Sequence, residues 1–405
     1  MFCPEMFFLT IGFIVSFFDV LMIDYSDQSR LLLSFLSDRF PKTRCLSMIG
    51  VSVFVNGLIY GNHKSNQGVK DKDYFKKISK FDTTNLSLLV LLLLVVTFFS
   101  GAYVAIFKYQ QDVNHSDGLY GLLFTLMCSI LMVATITEFV KLKESNYEYT
   151  SFKNFLSKLN RVYIFDVLFI SVVLLATGNR NDMLLFCLPP IILFYYWVKR
   201  ISNKLIVGGV FIGFFTMVLI GLTRNNNSSI TDAAGDINLY NTFRDFDAAY
   251  VDQYFLIEHT DVYGPVGLAN GVNTVVSSIP FMGGILLDEK KHTADKLLDS
   301  NIVTTNYLNP GGAGMGTSLF GDLYYCGGLP FFILYMFLFG YMLSYVAQEL
   351  LNGRTVPFFL LVCFCFYFAN ISYLLRATWY SMFRLIGFTI VIYLITSLLS
   401  QKKQI

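Results

Sequence analysis

Charged side chains are scarce in this chain. Only 14% of the 405 residues are charged, against about 25% in a typical soluble domain, while 55% are hydrophobic and the mean hydropathy is +0.56. Proline is also rare, with nine residues, so apolar runs long enough for a helix to cross about 30 Å of hydrocarbon recur without a break. These runs exclude a soluble globular protein, and they exceed the alternating strands of about ten residues that build a membrane barrel. The sequence therefore predicts an all-α polytopic membrane protein.

Motifs of metal, disulfide and nucleotide chemistry are missing. The seven cysteines lie mostly inside apolar runs and form no Cys-x-x-Cys pair, which argues against a zinc site and a disulfide framework. The four histidines form no His-Glu-x-x-His motif. The glycine-rich segment 309–318 lacks the Gly-Lys-Ser/Thr of a nucleotide-binding loop. We expect no metal, no cofactor and no nucleic-acid partner, and the net charge of +2 carries no information on the last of these.

Ten apolar runs are candidate transmembrane helices, with eleven or twelve as the upper bound. They cover about residues 5–24, 45–61, 85–107, 118–140, 162–177, 183–198, 205–222, 316–347, 356–374 and 383–400. The first run has no basic region before it and no small-residue cleavage site after it, so we interpret it as a retained span. The chain then divides into spans 1 to 7 (residues 1–222), one large loop (223–315) and spans 8 to 10 (316–405).

The distribution of basic residues orients these spans. Lysine and arginine concentrate in segments 62–84, 141–161 and 199–204, which fall on one side of the membrane, and the positive-inside rule makes that side cytoplasmic. Both termini then face the cytoplasm. The segment between the first two spans departs from the rule, because four basic residues fall on the outer side there: Arg30, Arg39, Lys42 and Arg44.

The large loop is more acidic than basic, and its pattern is that of ordered structure. Aromatic and aliphatic residues recur at roughly helical spacing from Tyr240 to His259, and the segment from Tyr263 to Leu287 is apolar enough to enter the membrane interface. Long ordered loops between spans are usually functional. We therefore expect an extracytoplasmic loop domain with short helices.

Five arginines on the predicted outer side are the candidate ligand-binding residues: Arg180, Arg224, Arg244, Arg376 and Arg384. A guanidinium group stays charged and binds phosphate with two hydrogen bonds, so several of them at the membrane surface would suit a lipid-linked pyrophosphate. In the alternative interpretation, each arginine pairs with a neighbouring carboxylate, such as that of Asp182 or Asp245, or extends to lipid head groups.

The loop also carries side chains for proton transfer and for contact with sugars. Asp247 and His259 are the candidate general bases toward a sugar hydroxyl. Tyr250, Tyr254 and Tyr263 offer aromatic faces on which a sugar ring can stack. In the alternative interpretation these are solvated loop residues without a chemical role.

Three short strings match the pattern of one family. Thr177-Gly178-Asn179-Arg180 forms a short outer turn, Tyr263-Gly264 is followed by Ser278-Ile279-Pro280, and segment 317–328 leads from the loop into a helix and ends on paired glycines. With the layout of about ten spans and one large loop, these strings resemble the bacterial O-antigen (oligosaccharide repeat unit) polymerases of the Wzy type. Phe281 and Asp322 depart from that family's arginine and glutamate, and the first departure removes one candidate phosphate ligand.

The resemblance implies a GT-C-like fold in the bacterial inner membrane and a metal-independent glycosyltransferase. Such an enzyme joins repeat units carried on undecaprenyl pyrophosphate at the periplasmic face. The implied partners are that lipid-linked oligosaccharide, membrane lipids, a chain-length regulator and a flippase. The implied pyrophosphate ligands are Arg180, Arg244 and Arg376, supported by Arg224 and Arg384, with Asp247 or His259 as base and Tyr250 and Tyr263 as sugar contacts.

Two other functions that involve the same ligand stay open on the sequence, beside a structural or sensor protein in which no single outer arginine would matter. A flippase for lipid-linked oligosaccharides would bind the same ligand, but it needs a cationic cavity that is reachable from both sides, and the spans hold few interior charges. An O-antigen ligase uses the same donor and a similar loop and transfers the polymer to the lipid A core, so the sequence does not separate it from a polymerase.

Overall fold

The computed structural model of this chain describes residues 4–22, 40–67, 81–100, 119–145, 147–176, 180–209, 213, 239–278, 286, 298–308 and 317–402. Regular structure in these residues is helical, without strands, as the sequence predicts. The helices used below are α1 (Pro4–Met22), α2 (Phe40–Asn66), α3 (Thr83–Phe99), α4 (Leu119–Glu144), α5 (Phe152–Lys158), α6 (Arg161–Ala176), α7 (Arg180–Leu193, continued by a π-helical turn at Phe194–Val198), α8 (Leu239–Tyr263), α9 (Leu268–Ser278), α10 (Ser300–Leu308), α11 (Leu319–Leu351), α12 (Phe358–Ala369), α13 (Ile371–Leu374) and α14 (Phe383–Lys402).

Five of the described helices are long and apolar enough to cross a membrane. They comprise Pro41–Asn66, Gly121–Glu144, Asn181–Val198, Leu319–Leu351 and Phe383–Ser400. Three shorter apolar helical stretches, Pro4–Phe13, Thr83–Phe99 and Phe358–Ala369, coincide with further predicted spans. The chain is therefore an all-α, multi-pass membrane protein. The number of ten spans and the limits of the large loop stay predictions, because most of the predicted span 205–222 lies outside the described residues.

Helices α2 and α11 pack in parallel through glycine. A Cβ atom added to Gly61 would lie 2.5 Å from the carbonyl oxygen of Tyr341 and 3.0 Å from the backbone nitrogen of Tyr345. One turn earlier, a Cβ atom on Gly57 would lie 2.9 Å from the nitrogen of Tyr341, and Gly340 makes the equivalent close approach from α11. Small residues at this spacing let membrane helices approach closely, and the resulting van der Waals contact stabilises the pair.

Aromatic side chains fill the bundle next to this helix pair. The ring of Phe8 on α1 lies 4.4 Å from that of Phe54 and 5.3 Å from that of Phe339, measured between centroids. Phe332 and Phe364 are likewise fully buried. Most of α12 and nearly all of α4 are enclosed by other helices, so the described middle of the bundle is a packed aromatic core.

One end of the bundle, here called the basic end, brings together the segments that the sequence predicts to be cytoplasmic. Lys143 donates to the carbonyl oxygen of Gly353 at 2.8 Å, and Arg354 donates to the carbonyl oxygen of Ser65 at 3.1 Å. Arg354 also pairs with the buried Glu349 at 3.3 Å. These contacts join the C-terminal ends of α2, α4 and α11.

Helix α11 is broken near its start, which the single predicted span 316–347 did not anticipate. Gly327 and Gly328 have non-helical backbone angles, and Gly328 adopts φ +65°, a conformation that a side chain disfavours. Pro330 follows and cannot donate the hydrogen bond that a continuous helix needs there. The carbonyl oxygen of Tyr325 instead accepts from the backbone nitrogen of Val266 at 3.1 Å, so the α8–α9 connection docks at the break.

We expect the substitution Gly57→Ala to destabilise the protein by about 1 to 3 kcal/mol, as overpacking does in other cores. The added methyl group would meet the backbone of α11 rather than a movable side chain. Thermal unfolding of the purified protein in detergent measures the effect. Gly208→Ala, in the helical stretch 203–209 with nothing within 4 Å, is the control; equal melting temperatures for the two variants would contradict the prediction.

Candidate functional site

The opposite end of the bundle, here called the site end, carries a buried polar cluster. It is built from the N-terminal ends of α2 and α11, from helices α8, α9 and α10, and from the turn at residues 375–382. Helix α8 contains the segment whose aromatic and aliphatic spacing predicts a helix. Its residues 252–257 are buried against the bundle. The predicted loop therefore contributes a helix that belongs to the packed structure.

Gln253 joins three helices at the site end. Its side-chain nitrogen donates to the carbonyl oxygen of Thr43 at 3.1 Å and to the hydroxyl of Ser47 at 2.9 Å, both on α2. Its side-chain oxygen accepts from the hydroxyl of Ser318, the N-cap residue of α11, at 3.2 Å. Gly321 permits this arrangement, because a Cβ atom there would lie 2.8 Å from the Cα atom of Gln253.

Asp252, the residue before this junction, is a fully buried carboxyl group. Neither of its oxygen atoms has a hydrogen-bond partner among the described residues. Burial raises the pKa of Asp252 to about 7, and the positive charge of Arg376 opposes that rise. Arg376 lies in the turn after α13, where its backbone nitrogen donates to the carbonyl oxygen of Tyr373 at 2.8 Å. Arg376, which the sequence predicts to bind phosphate, is thus close enough to influence the charge of Asp252, a carboxyl group that can exchange a proton near neutral pH.

The turn that carries Arg376 is fastened to α11 by a second buried carboxylate. Asp322 accepts a hydrogen bond from the backbone nitrogen of Trp379 at 2.8 Å. The indole nitrogen of Trp379 donates to the sulfur of Cys326 at 3.4 Å, and the nitrogen of Leu319 donates to the carbonyl oxygen of Leu375 at 3.1 Å. The position of Arg376 is therefore set by bonds on both sides of it in the chain.

A third carboxylate, Asp299, ties the loop helices to the same turn. It accepts from the backbone nitrogen of Asn301 at 3.0 Å, which caps α10, and from the amide of Asn270 on α9 at 3.2 Å. It also accepts from the hydroxyl of Tyr380, and burial together with the nearby charge of Asp299 raises the pKa of that phenol. We interpret Asp299 and Asp322 as structural groups, because their partners are protein atoms.

His259, one of the two predicted bases, lies on the same face of α8 as Asp252 and about 10 Å further along the axis. Its ring centroid is 4.7 Å from that of Tyr263 and 5.5 Å from that of Tyr325. Its Nδ1 atom is buried without a hydrogen-bond partner among the described residues, and burial lowers its pKa. His259 is therefore neutral and able to accept a proton. Because it lies two helical turns from Asp252, the two groups would not accept a proton from the same hydroxyl group.

The other predicted site residues are described to different extents. Arg384 lies half-buried in the first turn of α14, and Tyr263 ends α8 with 70% of its surface exposed. The structure gives only a helical backbone position for four of them: Arg180 at the start of α7 and Arg244, Asp247 and Tyr250 in α8. Arg224 lies outside the described residues. The roles of all these residues stay predictions.

Sequence reasoning missed Asp252 and Gln253. Both sit in a stretch that continues with Tyr254, Phe255 and Leu256, so a carboxyl and an amide enter the apolar face of a helix. Polar residues on an apolar face need buried partners or serve a function, and this pattern was the available indication. Within the described ranges, no group of three or more His, Cys, Asp or Glu side chains is close enough to hold a metal ion.

Comparisons with protein-family models, curated proteins and solved structures find no match to this chain.

We expect Asp252 to make the stability of the protein fall as pH rises. Its pKa is about 7 when folded and about 3.9 when unfolded, so between these values the folded state keeps a proton that the unfolded chain releases. The loss is complete above about pH 7 and amounts to at most about 4 kcal/mol at about 1.36 kcal/mol for each pKa unit. Asp252→Asn should therefore unfold at a higher temperature than the unmodified protein at pH 8, by a margin that shrinks toward pH 5 and vanishes only below about pH 4.

Melting curves between pH 5 and pH 8.5 test this expectation on purified protein. Glu148→Gln, which changes an exposed carboxylate at the basic end, is the matched control and should follow the unmodified protein at every pH. Parallel pH profiles for Asp252→Asn and the unmodified protein would show that the carboxyl group of Asp252 titrates normally.

Proposed function

We propose that this chain is a glycosyltransferase of the bacterial inner membrane, an O-antigen polymerase that joins repeat units carried on undecaprenyl pyrophosphate. The observation that carries the proposal is the arrangement of Arg376 and Asp252 at the site end of the bundle. There a cation lies near a carboxyl group that can accept a proton. The layout and the local strings that resemble the Wzy-type polymerases support it. Both termini would then face the cytoplasm, and the site end would face the periplasm.

The reaction assigns one task to each group. A hydroxyl oxygen of the incoming lipid-linked unit bonds to the anomeric carbon of the growing chain, and the bond from that carbon to the pyrophosphate oxygen breaks. Asp252 accepts the hydroxyl proton. Arg376 stabilises the negative charge that develops on the departing undecaprenyl pyrophosphate, since a fixed cation costs no reorganisation when the charge appears. Because Asp252 would be partly protonated at neutral pH, activity should rise as pH increases through about 7.

The remaining arginines would complete the donor site. Arg384 lies half-buried in the first turn of the helix that follows the Arg376 turn, so we assign it a supporting role toward the same ligand. Arg180, Arg224 and Arg244 keep the roles that the family resemblance implies. The bound partner is the lipid-linked oligosaccharide, with membrane lipids around it, and a flippase and a chain-length regulator would act before and beside this enzyme.

A packed core between the two ends favours an enzyme over a flippase. Phe54, Phe332 and Phe339 are buried in the described middle of the bundle, where a transporter needs a polar route. A ligase would use the same donor, so the accumulated product distinguishes it. After deletion of the gene in its source strain, a surface glycolipid capped with one repeat unit supports a polymerase. Polymer held on the lipid carrier would identify a ligase, and single units held in the cytoplasm a flippase.

We expect Arg376→Ala to reduce polymer formation by about a hundredfold or more, the usual cost of removing one charge-stabilising donor. Arg376→Lys should retain part of the activity, because an ammonium group supplies charge without the two-pronged geometry. The measurement is the polysaccharide ladder of the deletion strain complemented with each variant at matched expression. Arg200→Ala, which removes an exposed arginine next to α7 at the basic end, is the control. Full activity of both Arg376→Ala and Arg180→Ala would refute a shared pyrophosphate clamp.

A further inference from the structure

A groove runs along the face of α8 opposite to Asp252. It has a volume of about 360 Å³, and its lining residues are Pro41, Lys42, Thr43, Tyr254, Ile257, Glu258, Asp261 and Val262. The five lining residues of α8 share one face, since 254, 257, 258, 261 and 262 follow the helical repeat. The N-terminal turn of α2 forms the other wall. Ligand pockets of this volume are at the small end of their range, which suits a single ring rather than a lipid chain.

Charge in the groove excludes an anionic ligand. Glu258 and Asp261 contribute two carboxylates, while Lys42 contributes one ammonium group and pairs with Asp261. The net charge of the lining is therefore negative, and a phosphate or pyrophosphate would be repelled. Asp261 also accepts from the hydroxyl of Tyr324 at 3.0 Å, which holds its carboxylate at the rim.

Hydrogen-bonding capacity in the groove points to a neutral ligand with several hydroxyl groups. The hydroxyl of Tyr254, a buried residue, donates to Glu258 at 3.2 Å and orients that carboxylate. Thr43 is fully buried, and its hydroxyl oxygen has no hydrogen-bond partner among the described residues. A buried polar group without a partner is costly. A ligand that supplies hydroxyls to Thr43 and Glu258, beside the tyrosine ring, would remove that cost.

We propose that this groove is a distal saccharide subsite, which binds an uncharged sugar residue of the acceptor oligosaccharide. Its assignment to the acceptor rests on the proposed function, whereas the binding of a sugar does not. The groove and Asp252 lie on opposite faces of α8, so they are separated by about one helix diameter of 10 to 12 Å. A sugar in the groove is therefore not the one that reacts. It belongs further along the same oligosaccharide and fixes how that chain lies at the reacting end.

The binding test uses the full-length purified protein and the repeat-unit oligosaccharide cut from the source strain's own surface polysaccharide. Titration calorimetry and saturation-transfer NMR measure the affinity. We expect Glu258→Gln to weaken binding by about tenfold or more, because it replaces a charged acceptor. Glu148→Gln is the matched control and should bind the free oligosaccharide as the unmodified protein does.

Thr43→Val gives a second variant that should fold normally, because the deleted hydroxyl makes no hydrogen bond in the described structure and the carbonyl oxygen bonded to Gln253 remains. We expect it to weaken binding severalfold at an unchanged melting temperature. Unchanged affinity in both Thr43→Val and Glu258→Gln would overturn the subsite. Binding of an amino sugar but not of its hydroxyl counterpart would also overturn it, since the groove would then be a cation site.

The polysaccharide ladder separates this proposal from the proposed function. If both hold, Glu258→Gln shortens the polymer without abolishing the first linkage, while Arg376→Ala abolishes it. A normal ladder in Glu258→Gln, with sugar binding lost, would refute the acceptor assignment alone. A normal ladder after deletion of the gene would refute the proposed function and leave the binding result as it stands.

Discussion

The close parallel contact between α2 and α11 is the constraint on which the rest of the structure depends. Lipid gives two helices no hydrophobic reason to associate, so their contact must come from packing that only small residues allow. Gly57, Gly61 and Gly340 provide that packing by bringing backbone against backbone. Because the two helices run in parallel, both N-terminal ends arrive at the same place. Gln253 can therefore bond to α2 and to Ser318 at the start of α11 with one side chain.

Polar groups at the site end differ in how fully they are satisfied. Gln253, Asp299 and Asp322 all bond to protein atoms and hold helices together. Asp252 is as deeply buried as Gln253 and Asp322, yet its oxygens have no hydrogen-bond partner in the described residues. A buried carboxyl group without a hydrogen-bond partner does not stabilise a fold. The contrast between neighbours with the same burial is the physical reason to assign function to Asp252 and structure to the others.

Several features of this architecture follow from residue pattern alone, and others depend on contacts between distant segments. The helical class, the spans around α4 and α14 and the helix at Tyr240 to His259 follow from apolar runs and spacing, which are local properties. The break at Gly327 was missed because the run stays apolar through it. Its stability depends on Val266, some sixty residues earlier, which bonds to the freed carbonyl oxygen. Arg376 could likewise be identified from its charge and its position in the sequence. Asp252 could not, because its burial without a hydrogen-bond partner depends on helices that are distant in the sequence.

Helix α8 carries both proposed sites of the site end on one rigid element. Asp252 and His259 lie on one face, and Tyr254, Glu258 and Asp261 lie on the other. A helix does not bend easily over two turns, so the distance between the faces is fixed, unlike that between two loops. An oligosaccharide held in the groove would meet the Arg376 turn at a set number of sugar residues from its bound ring. Under the proposed function, such spacing would let the enzyme add whole repeat units in register without contacting every sugar, and it would explain why a segment between membrane spans is built into the bundle.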